Sequence, residues 1–546
     1  MENFARPWMV AMWAFLSKKE ASLLLLVGFA LGTLSPTNSW TLNTLSENMD
    51  LCLENAIRYF PKEENSGSVI CTEDYHLYAG KDPKESDTAP SSDSNIKLAT
   101  FNLYHMGNSQ SKFKDYDLVA EIMNRYDIIA ATEVKALKSA LERMNEKLDQ
   151  KLQALIENRD NLPEAERLAA IREIRKQYVV PGYVKLLKLM QKLDSSWSYL
   201  GSPHTVGHVI THQEAMGFYY RRSKVDAIST AYCGDLVFGC FPKLTQQEKN
   251  LITRPPFIGS FQSGDFDFSV LVGHSRFRKH KDERKYQQIR DEILVDDFSE
   301  PIDFSIRETD EVIMGIYADA YHFGKIAQDV KNANPDEQDV IVAGDFNFPG
   351  TFEGQLNDWK TILDISYPGA EVVNNFETTV SQKEGVTPWE ERHENRSDYA
   401  SYDHFILDSM NSAECDVESN EALNFIPMID EKFSLNGPWE ERLQKLTAYR
   451  EKLLAELVIE PGDDAEEERL DFTEDFNRRV LDPENLHDTW TLTEKELKRI
   501  ADGKKIRTMG PFRSHLELIS DHLPIAITCN TSSVSYTHLR AHETVV

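Results

Sequence analysis

The chain has 546 residues and a formal net charge of −30, with 41% hydrophobic and 27% charged residues. This composition is typical of globular proteins and excludes an intrinsically disordered chain. The acidic balance argues against broad, passive adhesion to nucleic acid or to anionic membranes, although a local basic patch or a metal ion could still bring phosphate to the surface.

The N-terminus predicts a secretory signal peptide over residues 1–32. Two lysines precede the apolar run Ala21–Leu31, and a small-x-small cleavage site closes the segment. The run is shorter than the roughly 20 residues that a membrane helix needs. An uncleaved anchor stays open, because Trp8–Leu16 adds a second apolar stretch. We therefore expect a secreted or periplasmic protein without stable membrane association.

From residue 95 onward, apolar runs predict alternating strands and helices, after a leader and a polar linker at 33–94. The predicted strands, in chain order, are Ile96–Phe101, Asp127–Ala131, Trp197–Leu200, Ala215–Tyr220, Phe268–Gly273, Val340–Ala343, Tyr402–Leu407 and Leu523–Ile527. The predicted helices outside the excursions described next are Tyr116–Arg125 and Asp310–Asn332. Mixed elements with several apolar strands ending at polar clusters predict layered α/β architecture.

Two helical excursions interrupt this pattern. The first, Lys135–Leu193, has leucines and isoleucines at three- and four-residue steps and is expected to project as a helical hairpin. The second, at about 426–514, contains the predicted helix Trp439–Leu457 and the acidic tract Asp463–Glu468, which is typical of a solvated face. Residues 531–546 continue no pattern and are expected to be an unstructured tail.

Six cysteines fit an exported protein. They allow 15 disulfide pairings, among which sequence alone does not choose. Local spacing favours Cys233–Cys240, and Cys52–Cys71 and Cys415–Cys529 would complete the set. The alternative is a set of reduced, buried thiols, which would suit a cytosolic protein.

Three positions at predicted strand ends carry oxygen ligands that suit Mg²⁺. Asn102 follows the first strand, Glu133 follows the second, and Asp521 precedes the last. Magnesium prefers hard oxygen donors in octahedral geometry and keeps several waters, so one or two carboxylates with an amide oxygen suffice. Each residue alone also fits a simpler role, because Asn102 suits a turn, Glu133 a helix start and Asp521 a cap.

Two histidines at strand ends are candidate proton carriers, His274 and His522. A histidine titrates near neutrality and transfers protons best when a carboxylate fixes its tautomer. Glu214 and Asp403 are the candidate carboxylates. A lone histidine at a strand end is more often structural. We interpret the following histidines as structural or merely exposed: His204, His208, His212 and His404.

Polar and basic residues next to these strands suit a phosphate ester. Asp345 can orient water or bind metal and Asn347 can donate to a phosphoryl oxygen, although both also suit a simple turn. Arg221 follows Tyr220 at a strand end, and Arg254 opens a Pro-Pro segment. Basic side chains supply most sequence-independent affinity for phosphates. The basic group at 276–285 fits a solvated loop equally well.

In this order, the motifs resemble the endonuclease/exonuclease/phosphatase superfamily, and the middle of the chain resembles its pancreatic-deoxyribonuclease-like, secreted branch. The superfamily resemblance is carried by Thr100-Phe101-Asn102, Thr132-Glu133, Tyr220-Arg221, His274, Gly344-Asp345-Phe346-Asn347, Tyr402-Asp403-His404 and Ser520-Asp521-His522. The branch resemblance adds Glu214 with Phe218-Tyr219-Tyr220-Arg221, the loop Cys233–Cys240 and Arg254-Pro255-Pro256-Phe257.

The resemblance implies an α+β fold, a four-layer α/β/β/α sandwich that carries the two helical insertions within one domain, 95–530. It implies that Asn102, Glu133 and Asp521 hold Mg²⁺ or Mn²⁺. A structural Ca²⁺ is also compatible with the sequence, although no EF-hand-like loop marks a site for it.

The resemblance also assigns roles to the proton carriers and to the phosphate-binding groups. His522, oriented by Asp403, is the expected general base, and His274, oriented by Glu214, is the expected general acid. Asp345 and Asn347 are the implied stabilisers of the phosphoryl group. The groups implied to bind the flanking substrate are Tyr220, Arg221 and Arg254.

The expected activity is that of a secreted, metal-dependent endonuclease of low sequence specificity with DNA as substrate. The alternatives are a phosphatase or phosphodiesterase on another ester, sphingomyelinase-like or acting on inositol phosphates, and a catalytically inactive binding module. The segment Ala131-Thr132-Glu133 departs from the family pattern, in which many members have Gln-Glu, and the low net charge is unusual for a nuclease. The sequence sets no oligomeric state.

Overall fold

The computed structural model of the chain describes the central domain and leaves out the N-terminal 68 residues, several loops and the tail. The described residues are 69–71, 77–79, 95–107, 112–135, 139–157, 163, 166, 169–170, 173–174, 177–202, 205–207, 213–234, 237–245, 252, 254–275, 311–334, 339–347, 358–373, 378, 380, 402–408, 414–435, 437–459, 464–481 and 513–532.

Strands and helices alternate along the described chain. The strands are β1 (Val69–Cys71), β2 (Leu77–Ala79), β3 (Asn95–Met106), β4 (Ile128–Val134), β5 (Trp197–Gly201), β6 (Ala215–Arg221), β7 (Asp226–Ala227), β8 (Gly239–Cys240), β9 (Phe257–Ser263), β10 (Phe266–His274), β11 (Val340–Asp345), β12 (Ala370–Val373), β13 (Asp403–Asp408), β14 (Cys415–Ala422) and β15 (Ile525–Asn530). The helices are α1 (Tyr116–Met123), α2 (Ser139–Glu157), α3 (Gly182–Leu193), α4 (Glu311–Ala333), α5 (Asp358–Ser366), α6 (Ile426–Phe433), α7 (Trp439–Glu456), α8 (Ala465–Phe476) and α9 (Arg513–Leu518).

The chain divides into two compact units. The smaller unit comprises 1–82 and 139–179, and the larger comprises 83–138 and 180–546. In the smaller unit β1 pairs antiparallel with β2. The side chain of Asn145 on α2 makes two hydrogen bonds of 3.0 Å with the backbone of Val179, which ties the helix to the end of this unit.

The first sheet of the larger unit has the spatial order β5-β6-β4-β3-β15-β14. Its central strands β3 and β4 are parallel, with Asn102 opposite Thr132. The neighbouring strands β6 and β15 run antiparallel to them. The carboxyl ends of β3 and β4 therefore share one edge with the amino ends of β6 and β15.

The second sheet has the order β12-β13-β11-β10-β9-β7, and β8 also pairs with β9. Strands β10 and β11 are parallel, with His274 opposite Asp345. Strand β13 runs antiparallel to β11 and places Asp403 opposite the same Asp345. This register brings three candidate residues to one edge of the sheet.

Aromatic side chains hold the two sheets face to face. Phe218 of β6 packs against Phe257 and Phe261 of β9, with ring centroids 5.8 and 5.1 Å apart. Outside the first sheet, the Tyr219 hydroxyl donates a 3.0 Å hydrogen bond to the Tyr183 carbonyl of α3. Outside the second sheet, Phe323 of α4 packs on Phe346, which follows β11. This α/β/β/α arrangement confirms the four-layer α+β prediction.

Most predicted elements are present with small shifts at their ends. The predicted helix Asp310–Asn332 is observed as Glu311–Ala333, and the predicted strand Val340–Ala343 extends to Asp345. The sequence did not predict β9, whose segment Phe257–Ser263 contains glycine and serines. Cross-strand pairing with β10 forms this strand, because tertiary context overrides weak local propensity.

The prediction of a single helical hairpin over Lys135–Leu193 is wrong at its C-terminal end. Helix α2 belongs to the smaller unit, whereas α3 belongs to the larger one. The apolar stripe of α3 buries Val184, Leu187 and Met190, because α1 and β5 pack against it. The apolar residues of α3 therefore pack in the core of the larger unit.

The second excursion is helical as predicted, and it packs around the segment that leads into α1. Phe113 makes edge-to-face contacts with Phe472 and Phe476 of α8, at centroid distances of 5.2 and 5.3 Å. The Tyr449 hydroxyl of α7 donates to the Lys114 carbonyl at 2.9 Å. The acidic tract begins α8, where Asp464 caps the helix N-terminus. Residues 482–512 lie outside the described chain.

Two of the three expected disulfides are confirmed, Cys233–Cys240 and Cys415–Cys529. The second joins β14 to β15 and encloses the whole second excursion. The third expected pair includes Cys52, which lies outside the described residues, as do the predicted signal peptide, the basic group at 276–285 and the tail from 533. Within the described part, no helix is long and apolar enough to cross a membrane.

Candidate active site

The polar clusters of both sheets meet at one edge, where the strand register already places them. His274 and Asp403 flank Asp345 in the second sheet. In the first sheet the Ser520 hydroxyl donates to the Asn102 carbonyl at 2.6 Å, which brings the segment before β15 to the end of β3. In the second sheet, glycine at 344 permits the close approach of β11 to β10, because a Cβ there would lie 1.9 Å from the Gly273 carbonyl oxygen.

The backbone at this edge adopts left-handed conformations that residues other than glycine rarely take. The φ angles are 43° at Tyr104, 54° at His105, 56° at Glu133 and 52° at Asn347. Such residues persist only where the surroundings fix them, and they cluster at functional sites. Four of the five non-glycine residues with positive φ in the described chain lie here.

The first imidazole–carboxylate pair is His274 with Glu214. Nδ1 of His274 lies 2.6 Å from Oε1 of Glu214, and both side chains are buried. Two cations also flank Glu214, with Arg254 at 3.5 Å and Lys135 at 3.7 Å. Burial lowers the pKa of His274, but the negative charges of Glu214 and Asp345 outweigh burial and Arg254, so its pKa is raised.

The second pair is His522 with Asp403. Nδ1 of His522 lies 2.7 Å from Oδ2 of Asp403, whose side chain is fully buried. The His522 amide donates to the Ser520 hydroxyl at 3.1 Å, which fixes the backbone that carries the ring. Burial lowers the pKa of His522, but Asp403, Asp345 and Asp521 together raise it well above its usual value.

Both imidazoles point at one oxygen of Asp345. Its Oδ2 lies 3.6 Å from Nε2 of His274 and 3.4 Å from Nε2 of His522. Asn102 donates to the same oxygen at 2.9 Å. Burial raises the pKa of Asp345, an effect that the two histidines oppose. Three potential donors therefore converge on one point between the sheets.

Two carboxylates beside this point fit a divalent cation. Oε1 of Glu133 lies 4.0 Å from Nε2 of His274. Oδ1 of Asp521 is shielded from solvent and has no hydrogen-bond partner among the described residues. Burial, with Glu133 and Asp345 nearby, raises the pKa of Asp521 to about 6. A hard cation would satisfy such a carboxylate, and these oxygens are of the type that Mg²⁺ prefers.

Asn102 faces this pair of carboxylates with its amide nitrogen. The nitrogen donates to Asp345 and, at 3.3 Å, to Oε1 of Glu133, while its oxygen accepts from the Tyr104 amide at 2.8 Å. As oriented, Asn102 is a donor, and it would offer oxygen to a cation only after its amide turned over. That choice of orientation rests on the hydrogen-bond network, since oxygen and nitrogen have the same shape.

Glu133, Glu214 and His274 also present ligand atoms within 4.8 Å of one another, as a metal site would. A short hydrogen bond joins Nδ1 of His274 to Oε1 of Glu214. Glu214 also neutralises Arg254 and Lys135. These contacts fix the orientation of the His274 ring and leave its Nε2 4.0 Å from Oε1 of Glu133.

The structure does not bring Tyr220 and Arg221, predicted to bind substrate, to this edge. Both lie at the end of β6 far from Glu214, which precedes the strand, and seven residues of extended chain span about 20 Å. Tyr220 is fully buried and packs on Phe261. Arg221 stacks on Trp197 with its guanidinium carbon 4.6 Å from the ring centroid.

Hydrogen bonds and ion pairs occupy the rest of the Arg221 guanidinium. It donates to the Tyr126 carbonyl at 2.9 Å and to the Asn124 carbonyl at 2.5 Å, and it pairs with Asp194. These contacts tie the start of β4 to β5 and β6. In this structure Arg221 links strands of the first sheet.

Arg254 and Asn347 do lie at the site. Arg254 contacts Glu214 with a side chain 12% exposed. The Asn347 amide side chain donates to the Ser275 carbonyl at 2.8 Å, and its backbone N–H donates to Asp345 at 3.1 Å. All the remaining predicted catalytic and metal-binding residues are brought together at this edge.

Three residues near the site were not singled out from the sequence. Lys135 contacts Glu214, and His105 contacts Glu133 with Nδ1 2.7 Å from Oε2. Lys114 is buried and donates to the Ile519 carbonyl, and burial lowers its pKa to about 8. His105 and Lys135 follow metal-ligand candidates by three and two positions, which was the available signal. Lys114 carried no signal.

Comparisons with known proteins leave the family open. No protein-family model matches the chain, and no curated protein is similar to it. Among solved structures, an endonuclease/exonuclease/phosphatase from Bacteroides vulgatus is 10% identical, with 60% of this chain and 89% of that chain covered and a TM-score of 0.31. Truncated Caenorhabditis elegans TDP2 is 9% identical, with 80% and 98% covered and a TM-score of 0.32.

D. rerio TDP2, complexed with single strand DNA product, is 14% identical, with 61% of this chain and 91% of that chain covered and a TM-score of 0.29. Likenesses at these identities and TM-scores carry no weight for activity. The class of protein is therefore defined by the four-layer α+β sandwich and by the residues at its edge.

Proposed function

We propose that the chain is a metal-dependent phosphodiester hydrolase, and that it is a secreted endonuclease acting on DNA. One observation carries the reaction class. Two imidazoles, each bonded through Nδ1 to a buried carboxylate, direct Nε2 to within 3.6 and 3.4 Å of one Asp345 oxygen. Beside them stand the carboxylates of Glu133 and Asp521.

This arrangement suits two proton transfers at one reacting centre. Hydrolysis of a phosphodiester needs a base that takes a proton from water and an acid that protonates the leaving oxygen. Glu214 and Asp403 each hold a proton on Nδ1, so that Nε2 is the atom that exchanges protons with the reactants. His274 and His522 divide these two transfers between them.

Glu133 and Asp521 would hold the divalent cation, with Asn102 as a third ligand once its amide is turned. Mg²⁺ or Mn²⁺ there would supply positive charge to the phosphoryl oxygens and lower the pKa of a bound water. Asp345, close to both imidazoles, helps to position the attacking water. Asn347 stabilises the phosphoryl group as its negative charge develops.

DNA is the proposed substrate because Arg254 places a cation beside the His274 pair, where a flanking phosphate would lie. The two disulfides in the larger unit are compatible with an extracellular location. One observation favours a second substrate class. Tyr220 and Arg221, expected to hold DNA, lie at the other end of β6. A sphingomyelinase-like or inositol-phosphate ester is therefore the alternative.

An assay with supercoiled plasmid tests two parts of the proposal, metal-dependent hydrolysis and DNA as the substrate. The full chain is incubated with plasmid and Mg²⁺, with and without EDTA, alongside His522→Ala. His515→Gln is a matched control, because His515 is also buried and bonded to a carboxylate, Asp430 at 2.8 Å, but lies outside the site. We expect nicking by the parent and by His515→Gln, and none with EDTA or with His522→Ala.

The outcomes separate the substrate classes. Turnover of sphingomyelin or an inositol phosphate without plasmid nicking would replace DNA by another ester. Nicking that persists in EDTA, or in His522→Ala at the parent rate, would refute the metal-dependent hydrolase.

A further inference from the structure

We propose that His105 is a positioning residue that holds one oxygen of Glu133, so that only the other oxygen can bind the cation. Its consequence is a preference for Mg²⁺ over Ca²⁺. The inference rests on the proposed function, because it concerns the same cation site. It adds a residue that neither the motifs nor the resemblance assign.

The contact is double and falls on a single atom. The His105 backbone N–H donates to Oε2 of Glu133 at 2.9 Å, and Nδ1 of its ring lies 2.7 Å from the same oxygen. The backbone N–H is therefore a hydrogen-bond donor to Oε2, and the ring nitrogen lies in close contact with the same oxygen. Both contacts of His105 fall on Oε2, and neither falls on Oε1.

The second oxygen of Glu133 faces the centre of the site. Oε1 lies 3.3 Å from the Asn102 amide nitrogen and 4.0 Å from Nε2 of His274. The Glu133 side chain is 12% exposed and that of His105 is 27% exposed, so the pair lies at the entrance to the site. Oε1 is therefore the oxygen presented to a cation.

The backbone supports this contact. His105 and Glu133 have φ angles of 54° and 56°, in the left-handed region. Their conformations belong to the irregular stretch of β3 and β4, where the register shifts between the Asn102 and Met106 pairings. In this stretch the His105 N–H points at the Glu133 carboxylate instead of pairing with a neighbouring strand.

A glutamate with one oxygen already bonded binds metal through the other oxygen alone. Mg²⁺ demands near-ideal octahedral geometry and accepts single carboxylate oxygens, whereas Ca²⁺ takes more ligands and readily accepts both oxygens of one carboxylate. Hydrogen-bond partners of metal ligands typically contribute roughly 10- to 100-fold in metal affinity. His105 therefore favours the smaller ion.

Substitutions at 105 separate the ring from the backbone. His105→Gly removes the ring, keeps the N–H and tolerates positive φ without strain. His105→Asn places an amide nitrogen close to the position of Nδ1, and asparagine also tolerates this conformation. Glu133→Gln, made in parallel, tests the cation site itself.

Metal binding is measured directly on the full chain without substrate. Free Mn²⁺ is followed by electron paramagnetic resonance, and Mg²⁺ and Ca²⁺ are titrated in competition. In His105→Gly we expect Mg²⁺ affinity to fall roughly 10- to 100-fold. Ca²⁺ affinity should fall less, so that the Mg²⁺ preference narrows. His105→Asn should restore both the Mg²⁺ affinity and the preference.

Three results would overturn the inference. The first is a His105→Gly variant with the parent's affinity and preference. The second is an equal loss for both ions in His105→Gly and His105→Asn, which is what a purely structural role produces. The third is a parent that binds no Mn²⁺, or a Glu133→Gln variant that binds it like the parent, which would also refute the proposed cation site.

Discussion

The two imidazole–carboxylate pairs have nearly the same geometry but different surroundings. Each ring bonds through Nδ1 to a buried acid, at 2.6 Å for His274 and 2.7 Å for His522. Cations accompany the first pair, since Arg254 and Lys135 approach Glu214 within 4 Å. Acids accompany the second pair, where Asp345 and Asp521 add to the negative charge of Asp403.

This difference sets the proton affinity of each ring. Burial lowers the pKa of His274, and the positive charge of Arg254 lowers it further. Glu214 and Asp345 outweigh both effects, so the pKa of His274 is raised. For His522, three acids outweigh burial and raise the pKa well above its usual value. The same pair of an imidazole and a carboxylate therefore has a different proton affinity according to the charges around it.

The comparison also bears on which ring is the base. The resemblance assigns the base to His522, but a base must be neutral before it accepts a proton. In the metal-free protein His522 is the ring that holds its proton more tightly. Kinetic pKa values from the two limbs of the pH–rate profile, measured with the cation bound, decide which ring is the base.

The largest effect is expected when either ring is removed. His274→Ala and His522→Ala should each lower turnover by roughly 10²-fold or more, because each loses a general acid or base. Initial rates on plasmid measure this, with His515→Gln as the control. Near-normal activity in both variants would remove the basis of the comparison.

Neutralising Glu214 or Asp403 should change the pKa of the two histidines by different amounts. In Glu214→Gln, His274 keeps Arg254 as a neighbour, so its pKa should fall strongly. In Asp403→Asn, His522 keeps Asp345 and Asp521, so its pKa should fall less. Histidine ring signals followed by NMR titration of the metal-free protein measure both values. A larger fall for His522 would contradict the comparison.

Removing the cation from the first pair should make the pairs more alike. Arg254 lowers the pKa of His274, so Arg254→Ala should raise it toward that of His522. The pKa of His522 should stay the same, which provides an internal control in the same titration. An unchanged pKa of His274 would contradict the comparison.

The smallest effect concerns stability. A histidine whose folded-state pKa exceeds its unfolded value of about 6.5 stabilises the fold fully below that pH, and the contribution is lost as pH rises through the folded pKa. His522→Gln should therefore destabilise the metal-free protein more at about pH 6 than at about pH 9. Calorimetric melting in EDTA at both values measures this, and an equal loss at both would contradict the raised pKa of His522.

The position of each candidate residue along its strand explains why most of the candidate site was predictable from the sequence. It also explains why Tyr220 and Arg221 do not lie there. Each candidate acid or imidazole adjoined an apolar strand, and parallel pairing brings such ends together. The same logic could have excluded Arg221 from the site, because Glu214 and Arg221 stand at opposite ends of β6. A motif match placed both at the substrate, whereas strand direction separates them.

Other features depend on conformation that no local pattern specifies. His105 contacts Glu133 because both residues take left-handed backbone angles, which their residue types do not favour. Helix α3 belongs to the larger unit because its stripe meets α1 and β5. Periodicity indicates that a face is buried but does not identify the partner that buries it.

The central claim is that a divalent cation binds beside both imidazoles at this edge. Paramagnetic broadening by Mn²⁺ tests it on the full chain, with ring signals assigned from the His274→Ala and His522→Ala variants. We expect Mn²⁺ to broaden both ring signals in the parent and neither in Glu133→Gln. Sharp signals from both rings at saturating Mn²⁺ would contradict the claim.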